Sequence, residues 1–194
     1  MGINLVKGQK IDLSKGSNGL AKIMVGLGWD PVEKKGGLLG GLFGGGASSN
    51  VDCDASLVLL DSNGKMKDKK DLIYFGNLKN SNQSIIHQGD NLTGDGDGDD
   101  EQIMLDLANI PADVSKIVFV VNIYDCIKRR QDFGMIRNAY IRVLDMSSNS
   151  EMCKFNLTED YAGKTSLIVG EIYKNNSDWK FGALGEATND GSLL

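Results

Sequence analysis

KIVFVVNIYD, residues 116–125, is the stretch whose reading sets the fold class. On an extended chain successive side chains point to opposite faces, so Ile117, Phe119, Val121 and Ile123 share one side while Val118, Val120 and Tyr124 share the other. Apolar on both faces and rich in β-branched residues, it reads as a strand in the middle of a sheet. Other segments carry a similar extended signature, with turn residues between them. LAKIMVGLGWD (residues 20–30) puts Ala21, Ile23, Val25, Leu27 and Trp29 on one face and stops at Asp30-Pro31. VDCDASLVLLD (51–61) and DLIYFGN (71–77) read as two strands around the turn SNGKMKDKK, followed by SIIH (84–87). Residues 101–110 form a further strand that ends before the turn at Pro111-Ala112-Asp113. CIKRRQDFGMIRN (126–138) is predicted to be a short helix or an ordered loop, and AYIRVLD, MCKFNL, TSLIVGEIYKN and WKFGALGE supply the last strands. The expectation is all-β: a two-sheet antiparallel β-sandwich with at most one or two short helices, in a single domain spanning residues 1–194.

Between two of these strands lies GDNLTGDGDGDDE, residues 89–101, with six carboxylates in thirteen residues and no Lys or Arg. Neighbouring like charges repel by about 1 kcal/mol per pair even in water. A run of this composition therefore implies either a disordered acidic tract or a bound multivalent cation, and the cation is favoured. Its donors, Asp90, Asn91, Thr93, Asp95, Asp97, Asp99, Asp100 and Glu101, are all oxygens, which suit Ca2+ or Mg2+ rather than Zn2+. Gly94, Gly96 and Gly98 let the backbone turn tightly and present carbonyls. The spacing is not that of an EF-hand: from Asp95 the template meets Asp100 at its glycine position and Asp106 at its bidentate Glu, between flanks that read as strands. A β-roll repeat is excluded because the unit occurs once.

In Asp52-Cys53-Asp54 the alternation sends both carboxylates to one face and the thiol into the core. His87 is the sole histidine, has no evident partner in the sequence and reads as structural. GGLLGGLFGGG (36–46) lacks the Lys-Ser/Thr and helix of a P-loop and reads as a flexible insertion between strands, running to residue 50 and removable without loss of fold. The three cysteines have no CxxC spacing, so neither a disulfide framework nor a cysteine redox pair is expected.

Net charge is −5, yet residues 80–115 hold eight acids and no Lys or Arg, leaving the remainder at +3. With no basic face evident, nucleic acid is not expected as a partner. Residues 65–70 (KMKDKK) and Lys128-Arg129-Arg130 read as solvated turns. MGINLVKGQKIDL has no apolar signal core and no stretch is long and apolar enough to span a bilayer, so the chain reads as cytoplasmic.

LGWD (27–30), DCDAS (52–56), YFGNL (74–78), HQGDNLTGDGDGDDEQI (87–103), IYD (123–125) and FGMIRNAYIRVLD (133–145) together resemble the TerD-like tellurium-resistance and stress-protein family over nearly the whole chain. The glycine-rich insertion departs from its shorter members. The resemblance implies a cytoplasmic bacterial β-sandwich that binds calcium through acidic residues at one end and acts in resistance to tellurite and other stresses. It also implies protein partners, other Ter-type proteins in a membrane-associated complex, and a place at the inner membrane face. Carried onto this sequence, the implied ligands are Asp30, Asp52, Asp54, Asn77, Asp90, Asp97, Asp99, Asp100 and Glu101, with carboxylates sufficient for two Ca2+ ions. Catalytic residues are not expected. The alternative is a Mg2+- or Mn2+-dependent hydrolase or phosphoryl-transfer enzyme using the same carboxylates, although no Lys or Arg adjoins the motif in sequence to hold a substrate.

Overall fold

The alternating apolar pattern builds twelve strands among the described residues of the computed structural model, which are 2–14, 22–32, 51–89, 98–157 and 159–193. In chain order they are β1 (Ile3–Leu5), β2 (Lys10–Asp12), β3 (Lys22–Pro31), β4 (Cys53–Leu60), β5 (Leu72–Ile73), β6 (Ile85–His87), β7 (Glu101–Asp106), β8 (Lys116–Ile123), β9 (Ile136–Asp145), β10 (Ser150–Asn156), β11 (Ser166–Asn175) and β12 (Asp178–Thr188). Helical structure among them is confined to α1 (Cys126–Arg129) and three single 3-10 turns. The strands form two six-stranded sheets, ordered β1-β10-β9-β3-β7-β6 and β2-β12-β11-β8-β4-β5. As read from the sequence, β8 is central, flanked by β11 and β4, and the protein is a two-sheet β-sandwich.

One apolar cluster joins the two sheets. Ile23, Val25, Leu27, Ile103, Leu105, Ile141 and Val143 from the first sheet meet Leu57, Leu59, Ile117, Phe119, Val121, Val169 and Phe181 from the second. Burying a side chain of this size contributes about 1.5–3 kcal/mol, so keeping these residues in the interior fixes the register of the strands that carry them.

The structure differs from the sequence reading in three places. Pairing is antiparallel except between β1 and β10, which run parallel from Ile3↔Cys153 to Leu5↔Phe155. Residues 71–77 do not make a full strand. Only Leu72 and Ile73 pair with β4, after which the chain closes a tight turn in which Tyr74 and Asn77 exchange backbone hydrogen bonds of 3.2 and 2.8 Å. The glycine at position 76 favours that turn over further extension. The strand expected over 101–110 stops at Asp106, where a 3-10 turn (Leu107–Asn109) takes over ahead of the proline. The glycine-rich insertion at 36–50, and with it the expectation that it is removable, lies outside the described residues, as do Ala21 and residues 90–97.

Candidate functional site

The ends of several strands meet at one rim of the sandwich. β3 runs into it at Asp30 and β7 leaves it at Glu101, paired so that Leu27 faces Glu101. β4 begins there with Cys53 opposite Ile123 at the end of β8. Glu101 ties the two sheets together, its Oε2 accepting a 2.7 Å hydrogen bond from the Ala55 backbone N–H of β4. His87 reinforces that tie. Its Nδ1 accepts from the Gly89 N–H at 3.1 Å, so the proton sits on Nε2, which lies 3.1 Å from the Ala55 carbonyl and 3.4 Å from Glu101 Oε2. The histidine that lacked a visible partner in the sequence is thus a buried cross-sheet link.

Asp52, Asp54 and Glu101 are 7, 4 and 2 % exposed, so three carboxylates are withdrawn from water within a few residues of one another in the fold. Arg129 Nη1 meets Asp52 Oδ2 at 3.2 Å, and the neutral amide of Asn122 donates to Asp54 Oδ2 at 3.4 Å. Asp100 Oδ2 accepts from the Trp29 backbone N–H at 2.8 Å. The pairing of Asp52 with Arg129 places in the site a residue that the sequence assigned to a solvated turn.

Cys53 registers this concentration of charge. Burial, then Glu101, Asp54, Asp52 and Asp100 in that order, push its thiol well above its ordinary value. Cys153 is pushed up to about 12, chiefly by burial, and all three cysteines are buried and free. A thiol reagent at pH 8 is therefore expected to label none of them in the native protein and all three after denaturation. Rapid native labelling at Cys53 would show the rim to be open.

Asp99 takes a different part from its acidic neighbours. Its side chain is fully buried and both oxygens are held by Arg142 from β9, Nε to Oδ1 at 2.7 Å and Nη2 to Oδ2 at 2.9 Å. The Tyr140 hydroxyl adds contacts of 3.0 Å to Asp99 Oδ1 and 2.7 Å to the Gly98 carbonyl. Burial, then the charge of Asp99, raise the Tyr140 phenol far above its usual range. The carboxylate implied as a metal ligand is thus already compensated by a guanidinium, and it fastens the acidic segment to the first sheet.

Room for this anchor comes from LGWD and the residues before it. A Cβ on Gly26 would overlap the Asp99 carboxylate, and one on Gly28 would come within 2.5 Å of the Tyr140 ring. Gly26→Ala is expected to cost roughly 1–3 kcal/mol through that overlap. A denaturation midpoint unchanged from wild type would mean that Asp99 is free to move aside.

Two further implied ligands are engaged locally. Asn77 spends its side-chain amide on the Leu72 carbonyl at 2.7 Å, bracing the turn after β5. Asp30 Oδ2 accepts from the Asn138 side chain at 2.6 Å. Asp90, Asn91 and Asp97 lie outside the described residues. Among the described residues, no three His, Cys, Asp or Glu side chains converge closely enough to cage an ion. No helix among them is long and apolar enough to cross a membrane.

The TerD domain family model matches residues 1–194. The chain belongs to the TerD family. This TerD-domain protein is 62% identical over 193 residues to the Stress response protein SCP2 of Bacillus subtilis, covering 100% of this chain and 96% of that protein. It is 40% identical over 191 residues to the Tellurium resistance protein TerD of Serratia marcescens, covering 98% and 93% respectively. The crystal structure of a homologue of telluride resistance protein (TerD) from Streptomyces coelicolor A3(2) has the same fold, with a TM-score of 0.66 at 18% identity over 89% of this chain and 92% of that one.

Within the TerD-domain rim, sequence reasoning missed Arg142, Tyr140, Arg129 and Asn122. Each comes from a strand or turn at least twenty residues from the carboxylate it meets. The available clue was the pair Gly26 and Gly28 inside an otherwise strong strand, since glycine in a strand interior marks a close approach from a neighbour.

Proposed function

We propose that this TerD-domain protein is a calcium-dependent interaction module of tellurite resistance and the general stress response, with no catalysis of its own. It works with other Ter-type proteins at the cytoplasmic face of the membrane. The observation that carries this reading is the 2.7 Å bond from the Ala55 N–H to Glu101, which brings Asp100 and Glu101 of one sheet to the same rim as Asp52 and Asp54 of the other. Each of these carboxylates has one oxygen oriented by a donor of the protein, as outer-shell contacts orient metal ligands. An all-oxygen anionic set fits a hard cation, and Ca2+ accepts its irregular geometry more readily than Mg2+ does.

Asp52, Asp54, Asp100 and Glu101 would hold the metal together with Asp90, Asp97 and the other acids of the loop, a set sufficient for two ions, while Asp99 serves as the anchor. Bound calcium would supply the positive charge that offsets the repulsion among these carboxylates. Names of relatives point to the physiological setting: a stress response protein in one case and a tellurium resistance protein in another.

Calorimetric titration of chelator-stripped protein tests the reading. Ca2+ is expected to bind more tightly than Mg2+, and at a free concentration a hundredfold above Kd it adds about 2.7 kcal/mol to stability. Pull-downs with and without EGTA test the interaction. No binding heat, together with melting curves indifferent to chelator, would remove calcium from the account; partner capture unaffected by EGTA would leave calcium a structural role alone.

A further inference from the structure

We propose that the cleft beside the acidic rim receives a basic side chain, lysine or arginine, from a partner protein. A cavity of about 370 Å³ is lined by Asp54, Tyr74, Phe75, Asn122, Tyr124 and Asp125, with residues 191–193 along one wall. Its most buried polar groups, Asp54 and Asn122, offer acceptors. The Asn122 amide is oriented by charge: Nδ2 donates to Asp54 Oδ2, whereas the reverse orientation would set its carbonyl against a carboxylate. That leaves Oδ1, on a residue 7 % exposed, with no donor among the described residues. A buried carbonyl left without a donor is destabilising, and a rotation of the Asn122 side chain toward the cleft would let an incoming N–H satisfy it.

The walls select the kind of cation. Phe75 and Tyr124 are each 45 % exposed and stand edge to face at 6.2 Å, with Tyr74 against Phe75 at 5.2 Å. Aromatic faces beside carboxylates attract organic cations, whereas a bare metal ion makes no use of apolar walls. The protein already uses this chemistry on one wall of the cleft, where the Arg129 guanidinium lies 5.0 Å from the Tyr124 ring centroid. Lys128 approaches Asp125 at 3.6 Å, but its side chain is 83 % exposed and a partner's cation displaces it at little cost. Ile127, 73 % exposed and beside the Gly191 wall, adds apolar surface for the rest of a partner chain.

The proposal deepens the interaction-module reading, while the cleft itself requires no calcium. The test is an NMR titration of 15N-labelled full-length chain with Nα-acetyl-arginine amide and Nα-acetyl-lysine amide, in EGTA and again in Ca2+. The uncharged citrulline and norleucine amides serve as controls. Saturable shifts at Phe75, Asn122 and Tyr124 are expected for the cationic amides in EGTA, with binding on the order of tenfold weaker for the uncharged ones and for Phe75→Ala and Tyr124→Ala. Both rings are surface-exposed, so these variants should keep the wild-type spectrum elsewhere. Equal shifts from charged and uncharged amides, or none, would overturn the proposal. So would shifts at the same residues from CaCl2 alone that abolish the response to the cationic amides. Failure of the calcium reading leaves the EGTA result standing.

Discussion

Arg142→Ala is expected to lower stability by about 3 kcal/mol, near the lower end of what breaking a buried ion pair costs because Arg142 keeps some contact with water. The loss arises at Asp99 more than at the arginine. The Asp99 side chain is fully buried, and removing the guanidinium leaves its charge to the Tyr140 hydroxyl and a 3.3 Å contact from Gln102 Nε2. Removing both charges should recover much of the loss, so Asp99→Asn combined with Arg142→Met is expected to be more stable than Arg142→Ala alone. Urea denaturation of Asp99→Asn, Arg142→Met and the double variant that combines them closes the cycle. A coupling energy near zero would mean that solvent replaces the guanidinium and that the acidic segment is not fastened to β9.

Glu101→Ala should destabilise by about 3 kcal/mol, since the Ala55 N–H is left buried without its acceptor and the His87 link loses its carboxylate. Glu101→Gln separates fold from metal. It keeps a carbonyl oxygen for the Ala55 N–H, so most of the stability should remain, while one ligand charge disappears. On the calcium reading its melting temperature should respond to Ca2+ far less than that of wild type. Thermal melts of both variants with Ca2+ and with EGTA decide the matter. A Gln variant that keeps the full calcium response would confine Glu101 to a structural role and move the metal into residues 90–97.

Much of the architecture was legible because period-two alternation is a local property. The central place of β8 follows from apolar residues on both its faces, and the core positions of β3 and β4 follow from alternation. The short pieces were illegible for the same reason. β1 and β2 have three residues each, too few to show a period, and their pairing is decided by partners more than 140 residues away. Residues 74–77 carry strand-forming aromatics, yet the glycine between them and the Asn77 amide closing on Leu72 outweigh that propensity.

At the site, the residue types announced an acidic rim, but nothing in a one-dimensional pattern distinguishes a carboxylate facing a cation from one already held by arginine. Asp99, Asp100 and Glu101 are consecutive, and the fold sends them to Arg142, to the Trp29 N–H and to the Ala55 N–H of the opposite sheet. The bend that leads into β7 turns their side chains apart, and the long-range pairing of β9 with β3 determines which of them meets a positive charge.

The placement of β1 and β2 bears on how the protein is made. β1 and β2 leave the ribosome before the strands they pair with, β1 meeting residues 153–155 and β2 residues 180–182, so each must wait for more than 140 further residues to be synthesised. During that interval each is an unpaired ribbon with open hydrogen-bonding edges, exposed to pairing with neighbouring nascent chains. Their three-residue length limits the hazard, since so short an edge offers little to a wrong partner. When they do dock, one on each sheet, they fasten the two halves of the sandwich with a single run of chain, as its final stitch.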